Sequence, residues 1–332
     1  MAEEKPVVRG RGAAASQGRS RAAYGIGLAV ALSGCVAGGA LPPPVDVAPI
    51  PGDTSLRASD GEKLVTSEWL PDAAPVGVIL AFHGYGDYGH LTFRRAAEFW
   101  QAQGFAVIAV DQRGFGRNRS YGFWPGAEGL IADAAAISQQ VRDRFPNVPL
   151  TVIGHSMGGG VVTAAAADGL EADRLVLAGP AIWGGSLLNP LYRASAWLAA
   201  VTVPDKRFSG RGVVKIQASD NIDALRELSR DERYLSPPSA RELHGLVRLT
   251  DLAEAAAPAV EVPSLMLLGA KDQVVVNDAA RATFGRFAGV RDVIEYEDGW
   301  HLLFRDLQAE RVWRDVAEWA LGDLDQTQGG SG

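Results

Sequence analysis

Cysteine is almost missing from this chain. A single residue, Cys35, excludes an internal disulfide. Histidine is scarce as well: His83, His90, His155, His244 and His301 are scattered, and no Cys/His cluster has zinc-ligand spacing. Positive charge is short too. The net charge is −7, and no basic cluster occurs after residue 21, so the basic face that nucleic acid requires is missing. No internal repeat is present. What remains is a globular composition, 47% hydrophobic and 21% charged, over 332 residues. That length fits one large α/β domain with an insertion.

The first residues stand apart from the fold. Arg9, Arg11, Arg19 and Arg21 lie among Gly, Ala and Ser; an apolar stretch, Tyr24 to Leu32, follows, then Leu32-Ser33-Gly34-Cys35. A basic region, an apolar region and small residues in that order spell a secretory signal. The ending resembles the lipobox of bacterial lipoproteins. That resemblance implies a lipid on Cys35, a mature chain starting there, and an exported protein held at a membrane of the bacterial cell envelope. Ala22 to Val45 carries no charge, so an uncleaved membrane anchor is an alternative, and a cleaved signal with an unmodified Cys35 is another. Residues 36–53, with Pro42-Pro43-Pro44, read as a stiff tether, and residues 322–332 as a polar, disordered end.

Residues 54–321 alternate strand and helix. Ser55–Ala58 and Lys63–Leu70 read as a hairpin around Asp60-Gly61. Val76–Phe82, Phe105–Val110, Leu150–Gly154, Arg174–Leu177, Ser264–Leu268 and Asp292–Tyr296 read as strands. Helices are expected over Leu91–Gln103, Ala127–Phe145, Gly159–Asp168, Asn277–Phe287 and Leu302–Leu321. The alternation predicts a mostly parallel, eight-stranded sheet wrapped by helices. It stops between Pro180 and Val262, after the sixth strand, where only helical stretches appear. One has Leu187, Leu191, Ala194 and Leu198 on one face, joined by Trp183 and Trp197. A helical cap at about residues 181–262 is the expectation.

The chemistry centres on Gly154-His155-Ser156-Met157-Gly158. A β-branched run ends in Gly-x-Ser-x-Gly and a helical run follows, which is the pattern of a nucleophile elbow. The serine must tolerate a strained turn, so its neighbours two before and two after must be small; Gly154 and Gly158 are. The turn exposes the Ser156 hydroxyl and aims the Met157 amide at a developing oxyanion. A serine nucleophile needs a base, and the base an orienting carboxylate. Asp272 follows one late strand and His301 follows the last, so both fall on the sheet edge that carries Ser156. Glu295 and Glu297 read as the solvent side of an edge strand, and Asp298 as a turn residue. His155 is tied to the elbow and cannot serve its neighbour's hydroxyl, while His83 supports its own loop. The Tyr85 amide is the candidate second oxyanion donor, because Gly84 lets the backbone turn inward.

A competing motif overlaps that loop. Gly84-Tyr85-Gly86-Asp87-Tyr88-Gly89 matches G-x-G-x-x-G between strand and helix, and Asp111 ends the next strand where a ribose-binding acid would sit. A dinucleotide site would leave Ser156, Asp272 and His301 without a role. Asp111 to Gly116 reads better as a charged turn that buttresses the site.

With these residues in place the chain resembles the α/β-hydrolase superfamily, and within it the monoacylglycerol lipase and lysophospholipase branch. The matching stretches are Phe82-His83-Gly84-Tyr85-Gly86-Asp87, Asp111-Gln112-Arg113-Gly114-Phe115-Gly116, Gly154-His155-Ser156-Met157-Gly158-Gly159, Leu268-Gly269-Ala270-Lys271-Asp272 and Trp300-His301. The resemblance implies an α/β-hydrolase fold with a mobile cap after strand six that admits acyl chains. It implies Ser156, Asp272 and His301 as a triad, Met157 and Tyr85 amides as the oxyanion hole, and a lipid or small ester as substrate, with no cofactor or metal. The chain departs from the branch after Asp87, where the usual His-Ser and later Arg-Tyr are replaced by Tyr88-Gly89-His90-Leu91-Thr92-Phe93. The same triad also serves amides, thioesters and carbon–carbon bonds on this fold. An inactive, membrane-tethered binding protein is the non-enzymatic alternative.

Overall fold

A computed structural model describes Val8–Arg9, Ile50 and residues 53–184, 189–208, 216–234 and 237–322. The elements run β1 (Val8–Arg9), β2 (Asp53–Arg57), β3 (Lys63–Trp69), β4 (Gly77–Phe82), α1 (Gly89–Ala102), β5 (Phe105–Val110), α2 (Ala127–Arg144), β6 (Leu150–His155), α3 (Met157–Ala166), β7 (Arg174–Ala178), α4 (Pro190–Thr202), α5 (Ile222–Arg230), α6 (Ala240–Ala256), β8 (Ser264–Gly269), α7 (Asn277–Phe284), β9 (Arg291–Tyr296) and α8 (Ala309–Leu321). The strands form one nine-stranded sheet, in the order β1-β9-β8-β7-β6-β4-β5-β3-β2. Eight are those expected. The ninth is β1, two residues paired antiparallel with β9. β5, β4, β6, β7, β8 and β9 are mutually parallel, and the β2–β3 hairpin joins antiparallel through β3 and β5.

The apolar runs become the inner strands because a parallel sheet with helices on both faces buries every residue it contains. β4, β5, β6 and β8 are buried along their whole length. Alternate side chains divide between two cores. Val78, Leu80 and Phe82 face α2, α3, α6 and α7, whereas Ile79 and Ala81 face α1 and α8. The predicted Cys35 anchor, nearly all of the tether and the tail after Gly322 lie outside the described residues.

Two boundaries differ from expectation in ways that matter for the site. Helix α3 starts at Met157 rather than Gly159, directly after the serine. The last helix starts at Ala309, not Leu302. His301 to Asp306 are all buried, six residues in succession. A surface helix would turn some of them to solvent. The segment makes tight turns instead, with the Arg305 and Asp306 amides donating to the Leu302 carbonyl.

Between β7 and β8 the described residues form α4, α5 and α6 and contain no named strand. α6 starts at a capping box: the Glu242 amide donates to Ser239 Oγ, and the Ser239 amide donates to the Glu242 carboxylate. It buries Leu249 and Ala253 in the larger core. Gly160 of α3 admits it closely, since a Cβ there would meet Leu249 and the Ala181 carbonyl. α4 lies further out. It has no buried residue, and Leu191, Trp197, Leu198 and Val201 are exposed. The expected apolar face of α4 therefore remains uncovered by the rest of the described chain, and Leu187 lies outside the described residues.

Trp100 tests the smaller core. It is fully buried and donates its indole N–H to the Trp313 carbonyl at 2.8 Å. Trp100→Ala is expected to cost about 3–5 kcal/mol, read as a lower urea midpoint with an unchanged m-value.

Candidate active site

The elbow is the most constrained point of the backbone. Ser156 has φ 53°, and no other described non-glycine residue has a positive φ. Such a conformation costs roughly 1–3 kcal/mol and persists only where its surroundings enforce it. Here they do. A Cβ on Gly154 would overlap the Gly158 carbonyl and Val162, and one on Gly158 would overlap the Phe82 and His83 carbonyls. The Ser156 amide donates to the Ala178 carbonyl at 2.9 Å, and the Gly158 amide to the His83 carbonyl at 3.1 Å. Neighbouring strands thus clamp both sides of the serine.

The structure brings Ser156, His301 and Asp272 into one chain of hydrogen bonds. His301 Nε2 lies 2.9 Å from Ser156 Oγ, and His301 Nδ1 lies 2.8 Å from Asp272 Oδ2. The other carboxylate oxygen of Asp272 accepts the amides of Val274, at 2.7 Å, and Val275, at 3.0 Å. Burial works to raise the Asp272 pKa. The His301 hydrogen bond and the two amides outweigh it and hold the carboxyl below its ordinary value. An ionised Asp272 keeps the imidazole proton on Nδ1, which leaves the Nε2 lone pair facing the serine hydroxyl. Gly179, with φ 48°, passes under this pair, where a Cβ would sit 3.2 Å from His301 Nδ1. The rival acids are occupied elsewhere: Glu295 pairs with Arg281 and Asp298 with Lys271, each at 2.7 Å, and Glu297 is exposed.

The Met157 amide opens α3, where no intrahelical partner exists and the helix dipole favours negative charge. Gly84 lies against the elbow, its Cβ position 3.1 Å from that of Ser156, which brings the Tyr85 backbone alongside. His83 shapes this loop. Its ring takes the Gln112 amide on Nε2 at 2.9 Å and lies 2.7 Å from the Gly84 carbonyl on Nδ1. Burial lowers its pKa, so the neutral ring donates from Nδ1 and accepts at Nε2. The Tyr85 side chain points to the cap, its hydroxyl donating to Glu242 at 2.9 Å. His155 turns away from Ser156. Its Nε2 lies 3.0 Å from the His301 carbonyl and its ring 5.1 Å from the His301 ring.

Asp111 is fully buried, and protein donors take its oxygens: the amides of Gly89 and Arg117 at 2.9 Å and Arg117 Nε at 2.7 Å. A ribose-binding acid must offer its oxygens to a ligand, and these are committed. Asp111 is a buttress and offers no oxygen to a ribose.

The serine opens on a cavity of about 580 Å³, within the range for small-molecule sites. Its walls are mainly apolar: Leu225 and Leu228 from α5, Leu243, Leu246 and Val247 from α6, and Trp183. Asp87 is the one carboxylate among the described lining residues, with Arg305 Nη1 at 3.7 Å. Burial raises the Asp87 pKa against the opposing Arg305 charge. Sequence reasoning passed over Arg305, Asp306 and Glu242. The first two were hidden in a segment read as helix. The third was spelled in Ser239-x-x-Glu242, a capping-box pattern readable in advance.

Burial also lowers the His155 pKa from 6.5 to about 3. Its sign follows from proton counts: between those two values the unfolded chain binds the proton and the folded chain does not, so stability falls as pH falls through that window. His155→Gln keeps an N–H for the His301 carbonyl and removes the titration. The wild type is expected to lose up to about 1.4 kcal/mol more per pH unit than the variant between pH 6.5 and 4, measured by urea unfolding at each pH.

Against known proteins, residues 73–308 match the family model described as serine aminopeptidase, S33. The monoacylglycerol lipase of Mycolicibacterium smegmatis is 27% identical over 81% of this chain and 97% of its own. The mouse monoglyceride lipase is 23% identical over 80% of this chain and 88% of its own. Among solved structures, the monoacylglycerol lipase of Paleococcus ferrophilus superposes with a TM-score of 0.65 at 21% identity, over 78% of this chain and 98% of its own. A lipase in its open form reaches 0.68 at 19% identity, over 82% and 98%. The match to the family model covers both the elbow and the late acid and histidine, and the chain belongs to the serine aminopeptidase S33 family of α/β-hydrolases.

Proposed function

We propose that the chain cleaves monoacyl lipids, monoacylglycerols or lysophospholipids, through an acyl-enzyme on Ser156. The chain is a carboxylic-ester hydrolase, in keeping with its family and with relatives named as lipases and esterases. The observation that carries the finer reading is the unbroken Asp272–His301–Ser156 chain opening on an apolar cavity under the cap. His301 Nε2 takes the Ser156 proton as Oγ attacks the ester carbonyl. The Met157 and Tyr85 amides hold the oxyanion, and Asp272 stabilises the imidazolium. His301 then protonates the leaving alcohol, and water, activated by the same imidazole, releases the fatty acid. An aminopeptidase would need a free carboxylate to hold the substrate ammonium. Asp87, with Arg305 against it, does not offer one, and this favours esters over amides.

The cavity walls suit an acyl chain, and the buried Asp87 carboxyl among them suits a small polar alcohol. Ser156→Ala is expected to lower kcat about a millionfold on monoacylglycerol, to judge from serine hydrolases generally. Hydrolysis of amides but not esters by the wild type would overturn the substrate class, and no hydrolysis above the Ser156→Ala background would favour a binding protein.

We also propose that Cys35 carries a lipid anchor that holds the enzyme at the membrane containing its substrates. Two or more acyl chains make such an anchor stable where one is marginal. Mass spectrometry of the mature N-terminus is expected to show a lipid-modified Cys35; an intact residue 1 or an unmodified Cys35 would refute it.

A further inference from the structure

The segment that carries His301 has no regular structure, yet it is gripped on every side. The peptide group after His301 is held at both ends. Its carbonyl faces His155 Nε2 at 3.0 Å, and its N–H, that of Leu302, donates to the Ala218 carbonyl at 3.0 Å. Ala218 belongs to the stretch by which the cap returns from α4 to α5. More bonds join the same two stretches. Asn221 Nδ2 donates to the Arg305 carbonyl at 2.8 Å, and the Leu307 amide to Asp220 Oδ1 at 3.0 Å. At their centre is Asp306. One of its oxygens accepts the Trp300 amide at 2.8 Å, and the other accepts the Ser219 hydroxyl at 2.6 Å.

Asp306 and Ser219 are both buried. The two donors to the carboxylate are neutral, so burying it is costly. Burial raises its pKa to about 6. A group kept at such a cost one turn from the histidine invites a reason. Its bonds supply one: they fix the residue before His301 to the cap's return stretch, while Ala218 fixes the residue after. Ala218 also lines the cavity, and Ser219 to Asn221 connect it to α5, whose Leu225 and Leu228 form part of the wall.

We propose that Asp306 is a positioning residue for His301, and that through Ser219 it makes the placement of the imidazole depend on how the cap's return stretch is seated. The proposal rests on the triad reading above. A cap displaced by substrate or product shifts Ser219 and Ala218 together and alters the reach of Nε2 to Ser156.

The test uses Asp306→Ala, Asp306→Asn, Ser219→Ala and the Asp306→Ala/Ser219→Ala pair in the full chain. The readouts are the rate of labelling by a fluorophosphonate, kcat and KM on a p-nitrophenyl ester, the thermal midpoint, and the low-field proton resonance of His301 Nδ1–H. Asp306→Ala is expected to slow labelling and kcat about a hundredfold with KM nearly unchanged, as for a misplacement of about 1 Å. Its low-field resonance broadens. Ser219→Ala moves the same readouts in the same direction, and the double variant loses no more than Asp306→Ala, because both act through one bridge. Asp306→Asn still accepts the Trp300 amide and can donate to Ser219 Oγ, so it recovers most of the rate. Should Asp306→Ala not fold, Ser219→Ala and Asp306→Asn decide alone. Wild-type labelling rates in Ser219→Ala, or losses that follow the thermal midpoint while the resonance is unchanged, would overturn the proposal. Labelling does not depend on the natural substrate. A wild type that labels but cleaves no ester would sink the ester reading alone, and the variants' labelling rates would still decide the role of Asp306.

Discussion

A single backbone torsion organises this molecule: the positive φ of Ser156. It is unfavourable for a serine, and its cost must be met by contacts that the turn itself makes possible. Those contacts need the chain to pass so close to β4 that no side chain fits at Gly158, and so close to α3 that none fits at Gly154. The same closeness carries the Gly84–Tyr85 loop to the serine and places the Met157 amide at the open end of a helix. Strain, tight packing and the placement of the Met157 amide are thus one arrangement seen from three sides.

Around that point the buried charges are placed sparingly, and each has a job. Asp111 fastens the start of α1 and the Arg117 turn, Asp272 bonds the ring of His301, Asp87 meets Arg305, and Asp306 crosses to the cap. Two more histidines stay neutral under burial and act as struts, His83 beneath the loop of β4 and His155 behind the carbonyl of His301. His301 thus stands beside a ring, that of His155, which gains no charge near neutrality.

Much of this was legible in the residues themselves. The inner strands announced themselves as unbroken apolar runs, and the elbow as two glycines around a serine. Asp272 and His301 could be found because they follow late strands whose ends must share one edge of a parallel sheet. What escaped has a common physical character. Asp306 and Arg305 fit a helical pattern because periodicity distinguishes apolar from polar and cannot tell a buried polar residue from a solvated one. The hydroxyl of Tyr85 reaches Glu242 across 157 positions of sequence, and nothing local records that pairing. The apolar face of α4 was visible as a stripe, but a stripe does not say whether the rest of the chain covers it, and here the described chain does not.

The connection from β7 to β8 needs only one helix to cross the sheet, and α6 provides it, packed on α3. α4 and α5 are an excursion from that crossover and contribute nothing to the order of the strands. Insertions, deletions or wholesale exchange of this stretch leave the topology intact, so the region can diverge in length and lining while Ser156, Asp272 and His301 keep their places at the sheet edge. The limit on such grafting is narrow and specific: a transplanted excursion must still end in a backbone that meets Leu302 and a hydroxyl that meets Asp306. Chimeras joined on the near side of residue 218 carry these contacts over, and those joined beyond it replace them.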